Sequence, residues 1–397
     1  MVSFVGKFIM PKKSTHVEYE DSKDRDKLAL SLQKAINSRQ KDGHKVSYFL
    51  DEQDDPSSIV DWVSTGSTTL DLAISNRPYG GLPVGRIVEL NGLESTGKSM
   101  ICAHICAETQ KKGGMAVIID AENSAASEFW SALGVNIRNL SYNQCDCIED
   151  MFDMMEFMIG HVRKEEPNRL LTIIFDSVAG APTRKELEGD YGVDGYATGK
   201  AVIVSKALRK LTGLIGRQKV LPIFTNQLRM NLNAMAFGDK YIVPAGKALQ
   251  YHASVRIRLT NIGKIKDANK VVIGNTIQAQ VIKNRCGPPF RTASFDVHFD
   301  SGIQDLVSLL DFMKENGITT GTKAGYTFKG KTIGEVKFNL DEFAKRYNED
   351  AAFKKEIYEA VCDKYIMKYR LPNSKIVDNV THEEGDEEEV AKDVSDE

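Results

Sequence analysis

The residues best suited to chemistry lie in one run, Gly92-Leu93-Glu94-Ser95-Thr96-Gly97-Lys98-Ser99, which fits the phosphate-binding pattern G-x-x-x-x-G-K-[ST] at every fixed position. Glycines let the backbone curl until several N–H groups point at one anion, and a helix starting there adds its positive end. Lys98 then reaches the β- and γ-phosphates of a nucleotide, and the Ser99 hydroxyl serves as a ligand to Mg²⁺. With Met100, the first residue of the helical run that follows, these positions form a candidate phosphate cradle. A second run, residues 170–176 (LLTIIFD), is an apolar strand ending on Asp176, a carboxylate able to hold Mg²⁺ through water opposite such a loop. Residues 220–225 form a third, leading into Asn226 and Gln227, amides placed where open α/β sheets bind ligands. In isolation Asp176 would read as a turn residue, and the two amides as satisfied turn groups.

Positioning these groups takes a sheet. Residues 86–90 read as the strand entering the loop, and 100–110 as the helix leaving it. A buried-type strand over 115–120 ends in Asp120-Ala121-Glu122, followed by a helix over 125–133 and a short strand at 140–142. The Met-rich helix over 146–163 is taken as core packing. This alternation over 67–230 predicts an α/β fold with a mostly parallel twisted sheet and helices on both faces. Residues 255–260, 276–283 and 292–299 extend the sheet as hairpins. Beyond 302, small helices and a hairpin at 326–332 suggest a separate α+β domain. At the other end, a helix over 26–39 and a strand-like stretch at 45–50 are too small to bury their apolar face, which must dock on the core or on a neighbouring subunit. The expected segments are an N-terminal segment over 1–62, the core over 63–301, the small domain over 302–378 and an acidic tail over 379–397.

Composition is that of a soluble protein, with 42% hydrophobic and 27% charged residues among 397. No apolar run approaches a membrane span and no signal pattern opens the chain, so a cytoplasmic protein without membrane contact is expected. The six cysteines include no C-x-x-C pair, and Cys145 and Cys147 are too close for a zinc knuckle, so all six read as reduced thiols. The net charge of −3 is uneven: residues 381–397 carry nine acids against Lys392, leaving about +5 on the rest by subtraction. A mildly basic body suits an anionic ligand, and the tail is either a competitor for it or a solubilising appendage.

Ser64-Thr65-Gly66-Ser67, the GRIVE run from Gly85, GLESTGKS, IIDAEN, FDSVAGAPTRKELEGD, SKALRKL, FTNQLRM and KNRCGPPF follow one another in an order that resembles the bacterial RecA recombinase family, from about residue 26 to 345. The divergence is wide enough to suit a bacteriophage-encoded member acting in an infected host. The resemblance implies a RecA-like ATPase core with two DNA-binding loops, near 188–196 and 228–246, and makes 1–62 a polymerisation segment docked on the neighbouring subunit. Glu122 matches the carboxylate that polarises the attacking water, expected on a strand adjacent to the phosphate loop. Phe129 matches the aromatic stacked on adenine, and Gln227 the sensor of the γ-phosphate. Arg229 and Lys247, with Ser205 and Arg209 on the helix after the first loop, match contacts to DNA backbone phosphates. Leu232 falls where an aliphatic side chain wedges between bases, with Met230 and Gly246 in the same loop. Lys283 and Arg285 match a basic pair presented to the neighbouring subunit's ATP, beside the interface aromatic Tyr251.

The activity so implied is a DNA-dependent ATPase that forms a helical filament on single-stranded DNA and exchanges strands with homologous duplex, with mediator and single-strand-binding proteins as candidate partners. Some positions depart from the pattern: Val202 and Gln250 replace basic residues, with Lys200 near enough to stand in for the first, and Ala245 replaces a glycine. A hexameric helicase on the same core would bring a zinc or protease-like module, and neither is visible. A non-enzymatic ATP-binding scaffold would not need two long loops at strand ends.

Overall fold

The computed structural model describes residues 25–40, 45–50, 52, 55, 57–122, 126–189, 196–230, 241–242, 247–322 and 325–369. Its helices are α1 (Lys27–Ser38), α2 (Thr68–Ser75), α3 (Lys98–Lys111), α4 (Ser127–Ala132), α5 (Ile148–Glu165), α6 (Arg184–Glu188), α7 (Tyr196–Gln218), α8 (Ala248–His252), α9 (Asp305–Glu315), α10 (Leu340–Glu349) and α11 (Ala351–Tyr365). The central sheet contains β1 (Val88–Gly92), β2 (Met115–Asp120), β3 (Leu140–Gln144), β4 (Leu171–Asp176), β5 (Val220–Gln227), β6 (Val255–Lys266), β7 (Val272–Asn284), β8 (Thr292–His298) and β9 (Gly302–Ile303). Their spatial order is β9-β8-β7-β6-β1-β5-β4-β2-β3.

From β6 to β3 the neighbours run parallel, and from β6 to β9 antiparallel. Parallel strands need both faces covered, which is why β4 is buried at every position. On one face α2 and α3 pack Leu70, Ile101 and Ile105 against Leu90, Ile223 and Ile257. On the other, α5 and α7 bring Met151, Met155 and Leu208 onto Phe175 and Phe224, whose rings stack at 4.4 Å between centroids. The methionines of α5 are therefore core, as the sequence suggested.

The antiparallel pair β6–β7 is longer than its sequence pattern indicated, because its outer half alternates less clearly and is held by strand pairing through two bulges beyond Asn261. Past β9, the chain forms α9, an antiparallel sheet of Thr319–Thr322, Gly325–Lys329 and Glu335–Phe338, and the helices α10 and α11. The predicted hairpin at 326–332 is one strand plus its turn; the return strand begins at Glu335. The aromatic core of this unit, with Phe338, Phe343 and Phe353, also takes Leu72 from α2.

The expected strand at 45–50 is not present. Asn37 of α1 supplies its hydrogen bonds instead: its Oδ1 accepts from Val46 N and Ser47 N, and its Nδ2 donates to Ser47 O. A side chain, not a neighbouring strand, takes these backbone hydrogen bonds. α1 itself, capped by Asp26, buries none of its residues. Leu28 is 77% exposed and Leu32 59% exposed, so the apolar face predicted to need a partner is not docked on the core.

Candidate nucleotide and DNA site

The phosphate loop turns sharply from β1 into α3. Ser95 and Gly97 have φ of 57° and 84°, the left-handed conformation that turns successive N–H groups to one side. Gly92 admits no side chain: a Cβ there would lie 2.4 Å from Thr96 Oγ1 and 2.8 Å from the Leu259 carbonyl. Thr96 Oγ1 donates to Leu93 O at 2.8 Å and fixes the curl. Lys98 is folded back on the loop, its Nζ donating to Gly92 O at 3.2 Å and Leu93 O at 2.8 Å. Burial lowers its pKa, while the carboxylates Asp176 and Glu122 pull the other way. Leu93 and Glu94 form the outer rim, and Met100 is buried beneath.

Because β1, β5, β4 and β2 run parallel, their carboxyl ends gather beside this loop. Ser99 donates to Asp176 Oδ2 at 3.1 Å, and Thr225 to Asp176 Oδ1 at 2.6 Å. Burial raises the Asp176 pKa against those two hydrogen bonds. Glu122 follows β2, whose turn is held by Asp120 accepting from Glu122 N. It is not on a strand adjacent to the loop strand, as expected from sequence: β5 and β4 lie between. It reaches the site because all these strands end on one edge, and there Ser177 Oγ donates to it. Gln227 Nε2 lies 3.4 Å from both Glu122 oxygens. Gly180 leaves room for this carboxylate, since a Cβ there would come within 2.9 Å of it. Ser177, Gly180 and Thr225 were missed by sequence reading; only the strand order brings them to Glu122 and Asp176.

Phe129 on α4 is half-buried against the same core as α3. Ser205 and Arg209 sit on α7, with Arg209 exposed and its Nε bonded to Ser205 O at 3.2 Å. Arg229 is exposed at the root of the second loop, where residues Arg229–Met230 pair with Tyr241–Ile242, and exposed Lys247 caps α8. Leu232, Gly246 and the acidic tail lie outside the described residues. Lys200 does not stand in for a surface base: it is 9% exposed and donates to Ala179 O at 2.8 Å.

Lys283 and Arg285 are not brought to this site. Lys283 aligns with Arg256, and Arg256 with Glu89, three residues before Gly92. At about 3.3 Å per residue this places the pair roughly 10 Å down the sheet from the loop, and two strands across. Both bond to the end of α8: Lys283 Nζ to Gln250 O at 2.7 Å and Tyr251 O at 3.0 Å, and Arg285 to Tyr251 O at 3.4 Å. Tyr251 stands 66% exposed beside them.

A phosphate loop, a hydroxyl–carboxylate pair and an acid–amide pair on one sheet edge define an ATP-hydrolysing P-loop core. Residues 30–304 match the model of the RecA N-terminal domain. The chain is 35% identical over 327 residues to Protein RecA of Heliobacterium modesticaldum, covering 82% of this chain and 91% of that one. It is 38% identical over 290 residues to that of Gluconobacter oxydans (73% and 81%), and 36% identical over 334 residues to that of Leptospira biflexa (84% and 83%). The chain belongs to the RecA family, and it is accordingly a DNA-dependent ATPase of recombination and repair that binds DNA and forms filaments. Among the described residues, no helix is long and apolar enough to cross a membrane.

Proposed function

We propose that the chain hydrolyses ATP between adjacent subunits of a filament on single-stranded DNA, and that the γ-phosphate sets the grip of the second loop on that DNA. The contact that carries this reading is the one between Gln227 and Glu122, which joins the root of the loop to the acid beside the phosphate cradle. Loop residues 92–99 with Met100 hold the phosphates, and Lys98 exchanges its two carbonyl partners for the β- and γ-oxygens. Phe129 covers the adenine. Glu122, held by Ser177, orients and polarises the attacking water. Gln227 exchanges Glu122 for the γ-phosphate and shifts the strand end that leads to Arg229, Met230, Leu232 and Gly246.

Ser99 and Asp176 fit Mg²⁺: a hydroxyl and one carboxylate, already joined, leave the remaining positions to phosphate and water. Among the described residues no cluster of three His, Cys, Asp or Glu could hold a metal without such help. When bound, Mg²⁺ neutralises charge developing on the β- and γ-phosphates. Lys283 and Arg285, remote from their own loop, serve the neighbour's ATP with Tyr251 at the same interface, and α1 lends its apolar face to filament contacts. Arg229, Lys247, Ser205 and Arg209 hold backbone phosphates, so binding is indifferent to base sequence. Mediator and single-strand-binding proteins load such a filament.

The test is strand exchange and single-strand affinity, each measured with ATP and ADP. Lys98→Ala should lose turnover and exchange. Gln227→Ala should still bind ATP yet grip DNA alike with either nucleotide. A wild-type protein whose DNA affinity ignores the nucleotide would sink the reading.

A further inference from the structure

On the sheet face covered by α7 and α8, a charged group is buried where the mechanism above does not use it. Glu89 of β1 is 0% exposed. It accepts from Arg256 Nε at 2.5 Å and from Asn226 Nδ2 at 3.2 Å. A carboxylate removed from water costs several kcal/mol unless it is paired and hydrogen-bonded, so both partners matter to it. Arg256 aligns on its other side with Lys283, so a polar line crosses β7, β6 and β1, and Asn226, two residues beyond the Phe224 that aligns with Glu89, joins it diagonally from β5. Asn226 and Gln227 are successive residues of β5 and face opposite sides of the sheet. One touches Glu89, the other Glu122.

We propose that Arg256, Glu89 and Asn226 are positioning residues that transmit the state of a subunit's own nucleotide, read by Gln227, to the Lys283–Arg285 pair that serves the next nucleotide along the filament. The inference rests on the reading of that pair as acting on the neighbour's ATP. A strand cannot move Gln227 without moving Asn226, and Asn226 holds one of the two hydrogen bonds on Glu89. Glu89 is also the carboxylate that draws on Lys283 against the repulsion of Arg256 and Arg285. The line has slack for a second arrangement. Asn226 Oδ1, both side-chain atoms of the adjacent Asn91 and Arg258 Nε are buried without a hydrogen-bond partner. Asn91 aligns with Asn226 on one side and Arg258 on the other, so these under-satisfied groups form one row directly above the ion pair. Buried groups left unbonded in one state can be satisfied in another, as a two-position element requires.

Asn226→Ala tests it, because the variant keeps the Glu89–Arg256 pair and the phosphate loop intact. DNA-dependent hydrolysis is followed against ATP concentration, and single-strand affinity is compared with ATP and ADP. Filaments should still form and hydrolyse, but the Hill coefficient should fall toward unity. The preference for ATP over ADP in DNA affinity should drop about tenfold, the effect of losing one hydrogen bond to a buried carboxylate. Asn226→Ser, which keeps a donor, should restore part of both. An unchanged Hill coefficient and ATP preference overturn the relay. A separate mixture of Lys98→Ala and Lys283→Ala subunits tests the trans reading. Recovery of hydrolysis at mixed interfaces supports the assignment of the basic pair, and no recovery overturns that assignment and the relay with it.

Discussion

Lys283 carries a sharp expectation. Burial pushes its ammonium down to about 8; Arg285 and Arg256 add repulsion and Glu89 draws it back. His252 lies beside this cluster and is held low by burial, then by Arg209, Lys283 and Arg285. If Lys283 meets the neighbour's phosphates as proposed, that cation is lost as pH rises through about 8, and kcat/KM for ATP on single-stranded DNA should decline there. Lys283→Arg stays charged and should flatten that alkaline limb while activity at neutral pH is kept. A limb that persists unchanged in the variant assigns it to another group. At this scale Lys98, Ser99 and Asp176 were legible because each sits in a contiguous run whose pattern implies its local shape. Ser177 and Thr225 were not, since their value depends on which strands lie side by side.

The element that most clearly awaits a partner is α1. Its apolar residues are open, and the 45–50 stretch beside it is held by Asn37 and not by a sheet. Leu32→Glu should therefore leave thermal stability within about 0.5 kcal/mol of wild type, as surface changes do. Filament length on single-stranded DNA, seen by electron microscopy, should collapse. A variant that forms filaments of normal length would remove α1 from the subunit contact. The periodicity of residues 26–39 foretold this helix; that Asp26 caps it, accepting from Leu28 N, is seen only in the structure. The strand-like look of 45–50 misled, because a stretch becomes a strand only when it pairs with another, and here Asn37 takes its hydrogen bonds.

At the scale of the molecule, the small unit is tied to the core through a set of polar and aromatic contacts, among them Arg291 donating to Tyr365 O and Tyr365 Oη donating to Thr292 O. Asp305 at the start of α9 accepts from Thr68 N at 2.6 Å and Thr68 Oγ1 at 2.7 Å, capping α2 from outside. Asn76 exchanges hydrogen bonds with Met367 at 2.9 and 2.8 Å, and Tyr79 stacks on Tyr358 at 4.7 Å. Asp305→Ala removes both bonds of the cap and strands a helix N–H, which should cost about 2–3 kcal/mol. Limited proteolysis should then cut near residue 305 before the core is lost. Cleavage at an unchanged rate would show that the remaining contacts hold the seam without this cap.

By itself the sequence determined the phosphate loop, the strand that ends in Asp176, the α/β alternation and the membership these motifs share, because each is written in neighbouring residues under a fixed backbone period. Only the tertiary structure placed Glu122 two strands beyond its expected neighbour, turned Lys200 inward, carried Lys283 and Arg285 away from their own loop, and buried Glu89 between Arg256 and Asn226. Those facts depend on strand order and on which face each side chain takes after pairing, and neither is encoded in a local stretch of chain.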